Sequence, residues 1–159
     1  MFNFMKKKTK NELLATQNGT IVDLKDVPDE AFAQKLLGDG VAILPTDNEV
    51  YSPVDGTIIQ VSDTLHAYGI STKDGLDILI HIGIDTVELQ GEGFEPLVKE
   101  GDQVKAGDLI ARADLSLLKE KGYELYTPVL ITNIEDVKDF SVGTGKTEAG
   151  KTVVMTYSK

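Results

Sequence analysis

The stretch Asp77-Ile78-Leu79-Ile80-His81-Ile82-Gly83-Ile84-Asp85 decides the fold. Alternate residues of an extended strand face opposite sides. Ile78, Ile80, Ile82 and Ile84 then share one face, and Asp77, Leu79, His81, Gly83 and Asp85 share the other. Four isoleucines mark their side as a core, so the segment reads as one half-buried strand. His81 faces away from that core, toward a surface or cleft. Gly83 carries no side chain, which leaves room for the backbone of a partner or ligand. Asp85 shares the His81 face but lies about 13 Å further along a straight strand. It reads as a rim carboxylate unless the chain bends near Gly83.

Outward from this strand the same texture repeats. Short runs rich in Ile, Val, Thr and Tyr fall at 50–52, 57–61, 109–111, 129–132 and 153–157, separated by glycine, proline and aspartate turns. Two short helices are expected. One spans 28–33, opened by Pro28 and acids, and the other spans 115–121, closed by Gly122. No helical periodicity runs long enough for a bundle. The chain also echoes itself: Tyr51-Ser52-Pro53-Val54 resembles Tyr126-Thr127-Pro128-Val129, and the Gly-Asp turn at 101–108 resembles 145–151. The expected fold is mainly β, an antiparallel β-sandwich with quasi-repeated hairpins and one or two short helices.

The chain has two histidines. Around the second candidate, Ile59, Val61, Leu65 and Ala67 alternate with Gln60, Ser62, Thr64 and His66. The first set reads as buried. Thr64 and His66 share the opposite face, roughly 6.6 Å apart along a strand, within reach of a hydroxyl-to-imidazole hydrogen bond. Such a bond fixes the ring tautomer. A histidine on a strand face is more often structural than reactive. Two of them, each opposite an apolar face, point to a site without naming a reaction.

Composition narrows the function class. The 159 residues fit one domain and are 41% hydrophobic, enough for one core. The expected division is a flexible basic tail over 1–15 and one domain over 16–159. No cysteine is present, which excludes disulfides, thiolate metal sites and cysteine nucleophiles and fits a cytoplasmic protein. No run is long and apolar enough to span a membrane. With 26 acidic against 16 basic residues and a net charge of -10, a nucleic-acid partner is not expected. A basic protein surface fits better. Lys6, Lys7, Lys8 and Lys10 follow Phe2, Phe4 and Met5, so any membrane contact through this tail is weak.

The motifs together resemble a known family. Ser52-Pro53-Val54-Asp55-Gly56-Thr57-Ile58, Thr64-Leu65-His66-Ala67 and residues 79–87 are similar to the glucose-type enzyme IIA proteins of the bacterial phosphoenolpyruvate:sugar phosphotransferase system. The likeness extends upstream through Asp26-Val27-Pro28-Asp29 and Gly38-Asp39-Gly40. Downstream it runs through Leu89-Gln90-Gly91-Glu92-Gly93-Phe94 and Glu100-Gly101-Asp102. The resemblance implies a phosphotransferase component with a phosphohistidine intermediate. His81 would accept a phosphoryl group from the phosphocarrier protein HPr and donate it to an enzyme IIB or IIBC transporter component. His66 would hydrogen-bond the phosphoryl oxygens, Thr64 would orient His66, and the Gly83 carbonyl would hold one ring nitrogen of His81. Asp29 and Asp85 would meet arginines of the partner. Phe32, Leu37 and Val87 would lie in an apolar ring around the site. Leu79 stands where some members have phenylalanine, and Ser62 where some have an aromatic residue; both changes touch the rim and partner preference. No metal or organic cofactor is implied. Regulated permeases or kinases are further partners of such proteins. The chain starts at Met1, which fits a free-standing protein.

Two rivals share some of the turns. Biotinyl and lipoyl carrier domains need a lysine at a hairpin tip, and the corresponding tip here has none. A zinc hydrolase of related β architecture needs three protein ligands and a base. Two histidines and no His-x-His leave such a site unspecified, although zinc held by His66 and His81 alone stays open.

Overall fold

The computed structural model describes residues 11–159. The basic segment 1–10, with its expected membrane contact, lies outside the described residues. Fourteen strands and two short helices follow in order: β1 (Asn11–Leu14), β2 (Gly19–Val22), α1 (Glu30–Ala33), β3 (Asp39–Pro45), β4 (Glu49–Tyr51), β5 (Gly56–Val61), β6 (Ala67–Ser71), β7 (Asp77–His81), β8 (Phe94–Pro96), β9 (Gln103–Val104), β10 (Leu109–Ala113), α2 (Leu115–Glu120), β11 (Thr127–Ile131), β12 (Lys138–Val142), β13 (Gly145–Thr147) and β14 (Val153–Ser158).

All strand pairs are antiparallel. Eight strands form one sheet in the order β13-β2-β3-β11-β7-β6-β5-β9, and β1-β14-β12 and β4-β10-β8 form two small sheets. The alternation read from the sequence holds where the ladder is regular. Val41 and Ile43 of β3, Ile78 and Ile80 of β7, and Val129 and Ile131 of β11 point to one side. There they join Val50, Ile110, Val154 and Met155 of the small sheets in the main core. This is an antiparallel β-sandwich with two short helices, as the sequence leads one to expect.

The domain begins earlier than expected. β1 falls inside the stretch 1–15 read as a tail, pairs with β14, and buries Leu13 completely. Residues 11–15 are therefore part of the sandwich; their pairing partner sits at the far end of the chain. The sequence echo at the two prolines is not a repeated element either. Tyr51 ends β4 ahead of Pro53, whereas Thr127 and Pro128 open β11.

The outer face of β3, β11 and β7 is not left to solvent. Leu24, Val27, Phe32, Ala42, Ile84 and Leu130 form a second buried cluster there, with Leu79 and Tyr126 packed on it. Asp29 starts α1 by accepting the Ala31 N–H on Oδ1 at 2.9 Å, which seats Phe32 in this cluster. Among the described residues no helix is long and apolar enough to cross a membrane.

Candidate functional site

β6 and β7 pair with Ala67 opposite His81. The pairing continues one step further, where the Ile82 N–H donates to the His66 carbonyl at 2.7 Å. That register brings the two histidines together. Their ring centroids stand 4.7 Å apart, edge to face. Phe32 lies on another side of His81, at 5.0 Å between centroids and tilted by 60°.

His81 is fixed from below. Gly83 turns the chain with φ +79°, and its carbonyl oxygen comes within 2.8 Å of His81 Nδ1. Thr86 braces the turn by donating its hydroxyl to the Ile82 carbonyl at 2.6 Å. The expectation that Gly83 leaves room for a partner's backbone is corrected here. Gly83 is buried, and a Cβ on it would meet Thr86 Cγ2 at 2.5 Å. The space is filled by the chain itself, and glycine is required by the turn. The same turn ends the alternation, so Ile84 leaves the main-core face and joins the second cluster beside Phe32.

His66 is fixed from the side. Its Nδ1 lies 2.7 Å from Thr64 Oγ1 and 3.4 Å from Ser62 Oγ. The strand reading of this segment is corrected. β5 ends at Val61 after an irregularity between Ile58 and Gln60, and residues 62–66 form the connection to β6. In consequence Ile58 is buried, Ile59 is half exposed, and His66 is only 7% exposed. The Thr64–His66 hydrogen bond is present, but a turn supplies it rather than a shared strand face.

Burial dominates the electrostatics. His66 is pushed down to about 4, first by loss of solvent and then by the nearby charge of His81, with hydrogen bonding at Thr64 opposing. His81 is also lowered by burial; the Gly83 carbonyl and the charges of Asp29 and Asp85 oppose that. Both rings are thus neutral near pH 7.

The other expected residues sort by depth. Asp85 is exposed and left-handed (φ 62°), with no side-chain hydrogen bond capping the turn it opens. Asp29 spends one oxygen on the cap of α1. Leu37 and Val87 are exposed at 45% and 50%. Phe32 is buried against the His81 ring, and the half-buried Leu79 packs on the second cluster. Sequence reading passed over Thr86 and the hydroxyl of Ser62, because both depend on turns rather than on periodicity. Among the described residues no group of three or more His, Cys, Asp or Glu is placed to hold a metal ion.

Comparison with known proteins accounts for most of the chain. The family described as phosphoenolpyruvate-dependent sugar phosphotransferase system, EIIA 1, matches residues 11–137. The PTS system glucose-specific EIIA component of Halalkalibacterium halodurans is 48% identical over 159 residues, covering 94% of this chain and 92% of the relative. That of Haemophilus influenzae is 41% identical over 148 residues, covering 93% and 89%. The solved structure of glucose permease IIA from Mycoplasma capricolum superposes with a TM-score of 0.85 at 39% identity, covering 98% of this chain and 99% of that one.

Proposed function

The chain belongs to the EIIA 1 family of the phosphoenolpyruvate-dependent sugar phosphotransferase system, and on that premise we propose that it is a glucose-type phosphoryl relay with His81 as the phosphorylated residue. One observation carries the assignment. The Nδ1 of His81 faces a carbonyl oxygen at 2.8 Å, while a second histidine stands 4.7 Å away between ring centroids.

A carbonyl oxygen only accepts, so Nδ1 of His81 holds the proton and Nε2 keeps its lone pair. Burial keeps the ring neutral, and only the neutral ring can attack. In the step itself, the bond between phosphorus and the donor histidine of HPr breaks as the bond to His81 Nε2 forms. The donor ring keeps the electron pair. Phosphoryl transfer of this kind needs mainly positioning and charge stabilisation. The product places a dianion in an acidic protein. If Thr64 donates its hydroxyl to His66 Nδ1, the His66 proton sits on Nε2, the ring nitrogen left to donate to a phosphoryl oxygen. Asp29 and Asp85 offer a negative rim to an arginine-bearing partner, and the exposed Leu37 and Val87 offer the apolar contact that excludes water. The group then passes to an enzyme IIB component, which commits it to a sugar. On this reading the protein would meet HPr in the cytoplasm.

Phosphorus NMR of the phosphorylated protein tests this directly. The signal belongs to an Nε2-phosphohistidine and is absent from His81→Ala. An Nδ1-phosphohistidine, or a signal that persists in that variant, sinks the assignment.

A further inference from the structure

The connection between β5 and β6 breaks a rule of hairpin chemistry. The Leu65 N–H donates to the Ser62 carbonyl at 2.8 Å, and the Ser62 N–H donates to the Ala67 carbonyl at 3.0 Å, which closes a tight loop. Its residue 65 has φ +64°. Such a position is normally glycine or asparagine. Here it is leucine, and it lies between the two residues, Thr64 and His66, whose side chains bond to each other.

The leucine side chain is not idle. It packs against the main core, and it lies over Gly91, where an added Cβ would stand 3.6 Å from Leu65 Cδ1. The register shows what this achieves. His66 is opposite Ile82, and Ala67 is opposite His81. Plain alternation would therefore turn His66 toward the core face with Ile82, away from His81. The rings nevertheless meet at 4.7 Å. The chain departs from alternation on entering β6, at the point where Leu65 adopts the left-handed conformation.

We infer that Leu65 is a positioning residue of the site: anchored on the main core beside Gly91, it holds the left-handed turn that presents the Thr64 hydroxyl and the His66 ring together to His81. Glycine would adopt this φ more easily, but it would leave the turn without an anchor. Leucine trades local ease for a fixed aim. A residue that merely filled the core would change stability and leave the His66 tautomer alone. The effect on transfer rests on the relay reading above; the effect on His66 does not.

Three variants separate these roles: Leu65→Gly, which frees the turn, Leu65→Asn, which tolerates it but loses the apolar anchor, and Leu65→Met, which keeps an anchor. Nitrogen NMR of the imidazoles reads the His66 tautomer and its titration. Single-turnover assays read acceptance from phospho-HPr and donation to enzyme IIB separately. In Leu65→Gly, His66 is expected to average over both neutral tautomers. Donation should fall by roughly tenfold or more, as small misplacements of aligned groups do, while acceptance changes by less than about threefold. Leu65→Met should restore both readouts. Should Leu65→Gly fail to fold, Leu65→Asn carries the same expectation. Wild-type nitrogen shifts and wild-type donation in the glycine or asparagine variant would overturn the inference, whatever the thermal midpoint does. If the wild-type protein takes no phosphoryl group at all, the relay reading falls, and the tautomer measurement still decides the role of Leu65.

Discussion

His81 Nδ1 and the carbonyl oxygen of Gly83 stand 2.8 Å apart, two residues apart in the chain. A straight strand would carry that carbonyl past the ring. The contact exists because Gly83 turns with φ +79° and Thr86 fills the space where its side chain would be. One backbone conformation thus sets which nitrogen of the histidine is free, and the requirement for glycine comes from that turn.

Gly83→Ala is therefore expected to destabilise the fold by about 3 kcal/mol, from the left-handed backbone and the Thr86 contact together. Urea unfolding measures this. Adding Thr86→Ser removes the Cγ2 methyl, keeps the hydroxyl bond to Ile82, and should recover part of the loss. An alanine variant with the wild-type midpoint would contradict the account of this turn.

His66 makes stability depend on pH in a stated direction. Its folded pKa is about 4 against 6.5 ordinarily, so between those values the unfolded chain binds the proton and the folded one does not. The stability that neutral His66 contributes is present above pH 6.5 and lost as the pH falls toward 4. The full effect is on the order of 3 kcal/mol. Glutamine at 66 takes up no proton. The stability difference between wild type and His66→Gln should therefore move in favour of the variant between pH 7.5 and 4.5, with the carboxylates common to both cancelling. A difference that stays constant with pH would refute the lowered value.

The same substitution splits the relay. His66→Gln keeps an amide donor beside His81 and should still accept a phosphoryl group. Donation onward should fall by about 100-fold, because the amide keeps a donor but not the alignment of the imidazole N–H, and misplacing an aligned group costs on that scale. Rapid-quench assays in each direction check this, and full onward transfer would remove His66 from the mechanism.

Asp29 and Asp85 should act on encounter rather than chemistry. Asp29→Asn preserves a cap oxygen for the Ala31 N–H while removing the charge, and Asp85 lies exposed at the rim. The double asparagine variant should associate with HPr about tenfold more slowly at low salt, with a flatter salt dependence. Its His81 pKa should fall further, because both carboxylates now oppose the lowering. Unchanged association across salt concentrations would argue against an acidic docking rim.

Alternation made β7 legible, and with it the core face of Ile78, Ile80 and Ile82. It failed at Gly83 and across 58–66, where a bulge and a left-handed leucine each reset the count. Neither device has a periodic signature, and leucine at 65 gives no turn signal at all. Both histidines could be named from the chain, and the Thr64 bond could be expected. The apolar cluster beside the site was hidden because Phe32, Ile84 and Leu130 come from three separated segments, and only the folded sheet packs them together, with Phe32 against the His81 ring. The start of the domain was missed for the same reason, since β1 has its partner in β14.

The most direct test combines this protein with phosphoenolpyruvate, enzyme I and HPr and follows its intact mass and the acid lability of any adduct. The account predicts one acid-labile phosphoryl group that requires HPr and is lost in His81→Ala. A well-folded protein that remains unmodified, or one modified equally well in His81→Ala, would contradict it.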